Sequence, residues 1–199
     1  MLGKAAVAMW WDVAPEMRAE WEDWHSSEHM PERLAIPGFL RGTRWVALSG
    51  APSYFVLYEV ASVETTTGAA YLERLNAPTP WSRKMMPHHR NMVRSLCALR
   101  EGWGGGVPPA LATIRFSPTS DATRLPRGKG LTGAHLLQAQ PMAGMPQTAE
   151  QKIRGGDATA DWVLLIGGYD VEAVTNHAMP EGIVGFYRPA YSLSAGEIA

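Results

Sequence analysis

Along the first half of the chain the spacing of apolar positions predicts strands over residues 4–13, 39–49, 53–62 and 90–100, and helices over 15–30 and 65–76. That order is β-α-β-β-α-β. Turn chemistry falls where this order needs it: Pro15 at a helix start, Pro37-Gly38 before the second strand, and Ser49-Gly50-Ala51-Pro52 between two strands as a hairpin. The segment GWGGGVPP (102–109) interrupts the periodicity and reads as a linker. Beyond it the pattern resumes more loosely, with strands over 110–118, 131–141, 161–170 and 182–194 and a short helix over 171–179. This predicts a second, degenerate β-α-β-β-α-β unit. Its first helix is reduced to the polar stretch 119–130, and its central hairpin is spread around TAEQKIRGGDATA.

A β-α-β-β-α-β unit is the ferredoxin-like split motif, with helices on one face of an antiparallel sheet. The other face also needs cover, and two such sheets on one chain can pack face to face and enclose an interior. The expected fold class is therefore α+β: residues 1–102 as a ferredoxin-like unit and 107–199 as a degenerate one closing a barrel.

With 199 residues, 46% hydrophobic and 19% charged, the chain is long enough for a sizeable core. A formal net charge of −1 and no dense Lys/Arg cluster argue against a nucleic-acid partner. No apolar run approaches membrane-spanning length, and MLGKAAVAMWWDV reads as a first strand rather than a signal peptide. Cys97, the lone cysteine, excludes an internal disulfide, reads as a small buried residue, and suits a reducing cytoplasm. Five of the eight tryptophans (Trp10, Trp11, Trp21, Trp24 and Trp45) fall in the first quarter, which predicts an aromatic core or pocket there.

That quarter also holds HSSEHMPER (25–33). On a wheel of about 100° per residue, Met17, Trp21 and Trp24 share a narrow arc with Glu28, while His25 and His29 lie on its flank. Glu28 is thus aimed at the core side, where an unpaired carboxylate is costly. Pro31 is expected to stop or kink the helix near Met30, and it can also open a short new turn, PERLAI. His29 would then sit at the helix C-terminus, where the dipole favours an imidazolium. Three interpretations stay open: a solvated His/Glu surface pair, a proton-transfer set, or a zinc site of the H-x-x-E-H type. The zinc version lacks an obvious third protein ligand.

The run WHSSEHMPERLAIPGFLRGTRW resembles the dimeric α+β barrel superfamily and, within it, the EthD-like proteins, through His25, His29 and the Pro37-Gly38-Phe39 turn. The likeness covers residues 4–100; residues 107–194 match only in the order of elements. It implies a tandem single-chain version of a barrel that relatives build from two chains, with one functional site per chain, and it leaves open a homodimer of such chains. The superfamily includes cofactor-free lactone isomerases, polyketide cyclases, quinol-forming monooxygenases and haem-binding proteins, so fold alone selects no reaction.

Taken together, these residues point to a small-molecule enzyme of isomerase, cyclase or lyase type. It would use cofactor-free acid/base chemistry, with no metal, on an apolar aromatic or lactone-like compound of the kind met in aromatic-compound degradation. A haem- or metal-dependent oxidoreductase and a non-catalytic ligand-binding protein are the alternatives. His25 is expected to act as base, His29 as imidazolium together with Arg44 to stabilise an oxyanion, and Glu28 to orient an imidazole. Trp11, Trp21 and Trp24 are the expected substrate-binding residues on the first strand and helix. Tyr54 and Tyr58 share one face of the hairpin, and Trp81, His88 and His89 lie in a Pro-rich loop. His135 and His177 read as structural, and GxGxxG and P-loop patterns are absent.

Overall fold

The computed structural model describes residues 1–117, 124–141, 147–178 and 182–198. Eight strands form the framework: β1 (Ala5–Val13), β2 (Phe39–Ala47), β3 (Tyr54–Val60), β4 (His89–Gly104), β5 (Ala110–Phe116), β6 (Leu131–Ala139), β7 (Trp162–Gly168) and β8 (Ile183–Ser194). They close into one barrel in the order β1-β3-β2-β8-β5-β7-β6-β4, and all neighbours are antiparallel. The first four strands lie in the order β4-β1-β3-β2 and the last four in the corresponding order β8-β5-β7-β6. The fold is mixed α+β around this closed sheet.

Strand alternation divides each strand between two environments. Inward-facing Ala6, Ala8, Trp10, Trp45, Phe55 and Leu57 meet Leu111, Leu137, Val163, Leu165 and Tyr187 from the second half, so both halves fill one barrel interior. The small alanines of β1 leave room for Trp10, whose indole tilts against Phe55 at 4.9 Å and donates to Thr113 Oγ1 at 3.0 Å. Cys97 is buried here, and burial pushes its thiol up to about 12, which suits an inert core residue. The outward face of β1–β4 carries Val7, Trp11, Tyr54, Val56 and Tyr58 and packs under the helices of the first half. A smaller cluster around Ile114, Leu164, Ile166 and Val174 covers the outer face of the second half.

Among the described residues six α-helices accompany the sheet: α1 (Arg18–Trp24), α2 (Met30–Leu34), α3 (Ala69–Asn76), α4 (Pro80–Met85), α5 (Ala149–Arg154) and α6 (Val171–Asn176). The expected stop near Met30 does not occur. Between α1 and α2, residues His25–His29 form a π-turn in which the Met30 N–H bonds to His25 O, and helical backbone continues through Leu34. The irregularity ahead of Pro31 therefore takes the form of one extra residue in the turn. PERLAI does open with a first-turn proline, within α2.

Two helices went unpredicted. The Pro-rich loop holds α4, capped by Thr79 Oγ1, which accepts from Ser82 N at 2.9 Å. The stretch assigned to a hairpin holds α5, with a Thr148/Gln151 capping box. β4 also runs on to Gly104, shortening the linker. Part of 119–130, expected to be a vestigial helix, and residue 179 lie outside the described residues.

Although α5 belongs to the second half, it packs over the first-half helices. Glu150 forms a buried ion pair with Arg33 of α2, and Arg154 joins through Glu150 Oε2 at 3.7 Å and Asp157 Oδ2 at 2.9 Å. Removing Glu150 leaves Arg33, 3% exposed, without its counter-ion. Glu150→Ala should therefore lose about 3–5 kcal/mol of stability in urea denaturation. A loss under about 1 kcal/mol would mean that the pair is screened by solvent.

Candidate active site

The π-turn decides the geometry of the histidine helix. Its wider turn invalidates the regular wheel, and His25 and His29 both face the sheet, 1% and 9% exposed, with ring centroids 5.5 Å apart. Trp21 lies 4.9 Å from His25, and Trp24 lies 4.4 Å from His29. Trp11, from β1, packs edge-on to Trp21 at 5.7 Å and to His89 at 5.2 Å. The predicted aromatic cluster is thus present, in the layer between the helices and the outer face of the sheet.

His89, the first residue of β4, is a third imidazole in this layer. Its Nε2 accepts from Trp21 Nε1 at 2.7 Å. An indole N–H only donates, so neutral His89 carries its own proton on Nδ1. That nitrogen, like Nδ1 of His25 and of His29, is buried without a hydrogen-bond partner. All three rings are held well below the usual imidazole range, chiefly by burial. Arg44 is the next cause for His25, Arg33 for His29 and Arg154 for His89. The helix terminus expected to favour an imidazolium at His29 is absent, because helical backbone continues through Leu34, and burial and the Arg33 charge favour the neutral ring.

Glu28 is half-buried, and its carboxylate takes hydrogen bonds from Trp24 Nε1 at 3.1 Å and Thr79 Oγ1 at 2.6 Å. It anchors α4 and orients an indole rather than an imidazole, which corrects its expected role. Tyr54 and Tyr58 do share a face, the helix-covered one. Tyr54 donates to Glu22 Oε1 at 2.6 Å, whereas the Tyr58 hydroxyl is buried without a partner. Burial raises both phenols well above their ordinary range, so both stay protonated. Arg44 is buried, donates to Glu22 O at 3.1 Å and lies over Trp21 and Tyr191 at 5.6 and 5.8 Å.

Trp81 sits at the rim, donating to Glu20 Oε1 at 3.3 Å. His88 is half-buried, and its ring makes no hydrogen bond among the described residues, so only one of the loop pair joins the cluster. His177 bonds back to Ala173 O at 2.7 Å, and His135 faces the barrel interior far from this layer.

Arg33 was missed. It follows His25 and His29 at the same four-residue interval, which was legible in HSSEHMPER. Its Nη2 is held by Glu150, while its Nη1 is buried without a partner. Arg33 is the leading charge acting on both His29 and Tyr58. One neutral base, one guanidinium N–H and one phenolic O–H therefore share the layer. Because α5 fixes Arg33 and Arg154 acts on His29 and His89, the second half does more than close the barrel.

The indoles of Trp21 and Trp24 pack directly against the two imidazoles. Among the described residues no three His, Cys, Asp or Glu side chains converge as a metal cage. No described helix is long and apolar enough to cross a membrane.

No protein-family model matches the sequence, and no curated protein is significantly similar to it. Solved structures do share the fold. An anthrone oxidase-like protein superposes with a TM-score of 0.61 at 9% identity, over 100% of this chain and 96% of its own. A candidate monooxygenase from Fusobacterium nucleatum gives 0.54 at 7% identity, over 98% and 96%, and another from Lactobacillus acidophilus gives 0.51 at 9%, over 96% of each chain. At such identities the likeness establishes a common α+β barrel architecture.

Proposed function

We propose that the chain is a cofactor-independent oxygenase that deprotonates an acidic carbon of an aromatic ketone, with His29 as the base. The observation that carries this is the set of unpartnered buried atoms His29 Nδ1, Arg33 Nη1 and Tyr58 Oη in one aromatic layer. Proton abstraction next to a conjugated carbonyl needs a neutral base and donors for the developing oxyanion. His29 is favoured over His25 because His25 is enclosed by Trp11, Trp21 and Trp24, whereas His29 keeps some exposure. Arg33 and Tyr58 receive the charge that moves to the substrate oxygen.

The neighbours named as an oxidase and as monooxygenases support oxygen as the second reactant over isomerisation. The carbanion adds to dioxygen with a new C–O bond, and protonation gives a hydroperoxide. Loss of water then breaks the O–O bond, so that the substrate methylene and one dioxygen become a carbonyl and one water. The likeness to the EthD-like dimeric α+β barrels, and the duplication of a ferredoxin-like unit, belong to the same proposal, supported by the matching strand orders of the two halves.

An oxygen electrode tests the reading with anthrone as substrate. One dioxygen consumed per ketone formed, without added metal or flavin, is the expected result. Conversion without oxygen uptake would return the chain to the isomerase class, and no conversion of anthrone or related aryl ketones would remove the oxygenase assignment.

A further inference from the structure

A recess at one mouth of the barrel has no part in this chemistry. It is partly open to solvent and is lined from both halves, including the Gly105–Pro108 stretch of the linker. Two facing groups inside it are already satisfied. Arg41 Nε donates to Glu59 Oε1 at 2.8 Å, Arg41 Nη2 also reaches Gly106 O at 3.3 Å, and Leu2 N donates to the other Glu59 oxygen.

Two ring nitrogens on this wall are not satisfied. Trp45, 4% exposed, lines the recess with its Nε1 buried and unpartnered. His135 takes a hydrogen bond from Met1 N to Nε2 at 3.1 Å, and its Nδ1 is buried and unpartnered above Gly102. When the Met1 nitrogen donates, as an ammonium or an amide does, neutral His135 carries its proton on Nδ1. Burial supports the neutral form by drawing the ring down to about 4. The wall thus offers two neutral N–H donors beside Leu57, Leu111 and Leu165, with its one internal ion pair already closed. Buried donors without acceptors are costly, and such a lining is complementary to an apolar body bearing a carbonyl oxygen.

We infer that the barrel mouth formed by Trp45, His135 and the glycine-proline linker is a second ligand site, for a small uncharged aryl ketone or quinone whose carbonyl accepts from Trp45 Nε1. The site lies inside the barrel and Arg44, next to Trp45, faces the helices, so occupancy does not require the histidine cluster.

Titration of the intact chain with acetophenone, followed through the indole N–H resonances in proton–nitrogen NMR, tests this. Trp45, assigned by its loss in Trp45→Phe, should shift saturably at millimolar ligand, and equally in the inactive His29→Ala chain. By calorimetry Trp45→Phe should weaken binding about fivefold, the value of one hydrogen bond, and Trp162→Phe should not. An unmoved Trp45 resonance or unchanged affinity in a folded Trp45→Phe chain would each overturn the assignment. If Trp45→Phe does not fold, His135→Gln takes its place as the second variant, with resonances assigned by sequential NMR. Because binding is read in an inactive chain, failure here leaves the oxygenase reading standing, and the reverse also holds.

Discussion

His29→Ala is expected to lower kcat on an anthrone-type substrate by about 10²–10⁴-fold, the usual contribution of a positioned general base. Circular dichroism of the variant should remain that of the wild type, since His29 is a rim residue of its cluster with 9% exposure. Added imidazole should restore part of the rate by entering the vacated space. Arg33→Met, which keeps the length and loses the charge, should also lower kcat, but imidazole should not rescue it. The competing assignment is specific. If His29→Ala keeps turnover within about threefold of wild type while His25→Ala abolishes it, the base is His25, and His29 serves only to pack Trp24.

Acid should unfold the chain earlier than its exposed charges alone would suggest. His25, His29 and His89 are held neutral by burial in the folded state, well below the ordinary value near 6.5 that they regain on unfolding. Above that value the rings are neutral in both states and stability is complete. As pH falls below it, the unfolded chain takes up protons that the folded one refuses. Each imidazole then removes about 1.4 kcal/mol per pH unit until its folded pKa is reached. His25 and His29 together give about 3 kcal/mol per unit. Urea midpoints between pH 7 and 5 should show this slope, and His25→Gln/His29→Gln should flatten it. A double variant with an undiminished slope would assign the acid sensitivity to other groups.

How much of this was legible in the sequence depended on the range of the cause. Strand alternation is local, and β1, β2, β3 and β4 lie where the apolar pattern placed them, including the shared face of Tyr54 and Tyr58. The signals for α4 and α5 were also local: Thr79 before Pro80, and Thr148 three residues ahead of Gln151, are ordinary helix starts. They were masked by proline and glycine content on either side. The burial of His25 and His29 was not legible, because a fixed 100° wheel cannot represent a π-turn and one added residue rotates everything after it. The Arg33–Glu150 pair joins residues separated by 117 positions, and no local pattern marks either as buried. The aromatic character of the site was therefore readable, while the donors that give it direction depended on tertiary contacts.

The seams of the barrel carry one last consequence. β2 zips to β8 and β4 to β6 within the same chain, so every strand finds two neighbours. An open sheet displays a row of bare amides and carbonyls along its border, a template on which other extended chains can grow. This barrel has no such border. Contact between copies cannot then grow by adding strands to this sheet, and the native form is shielded from the fibrous stacking that exposed β edges invite.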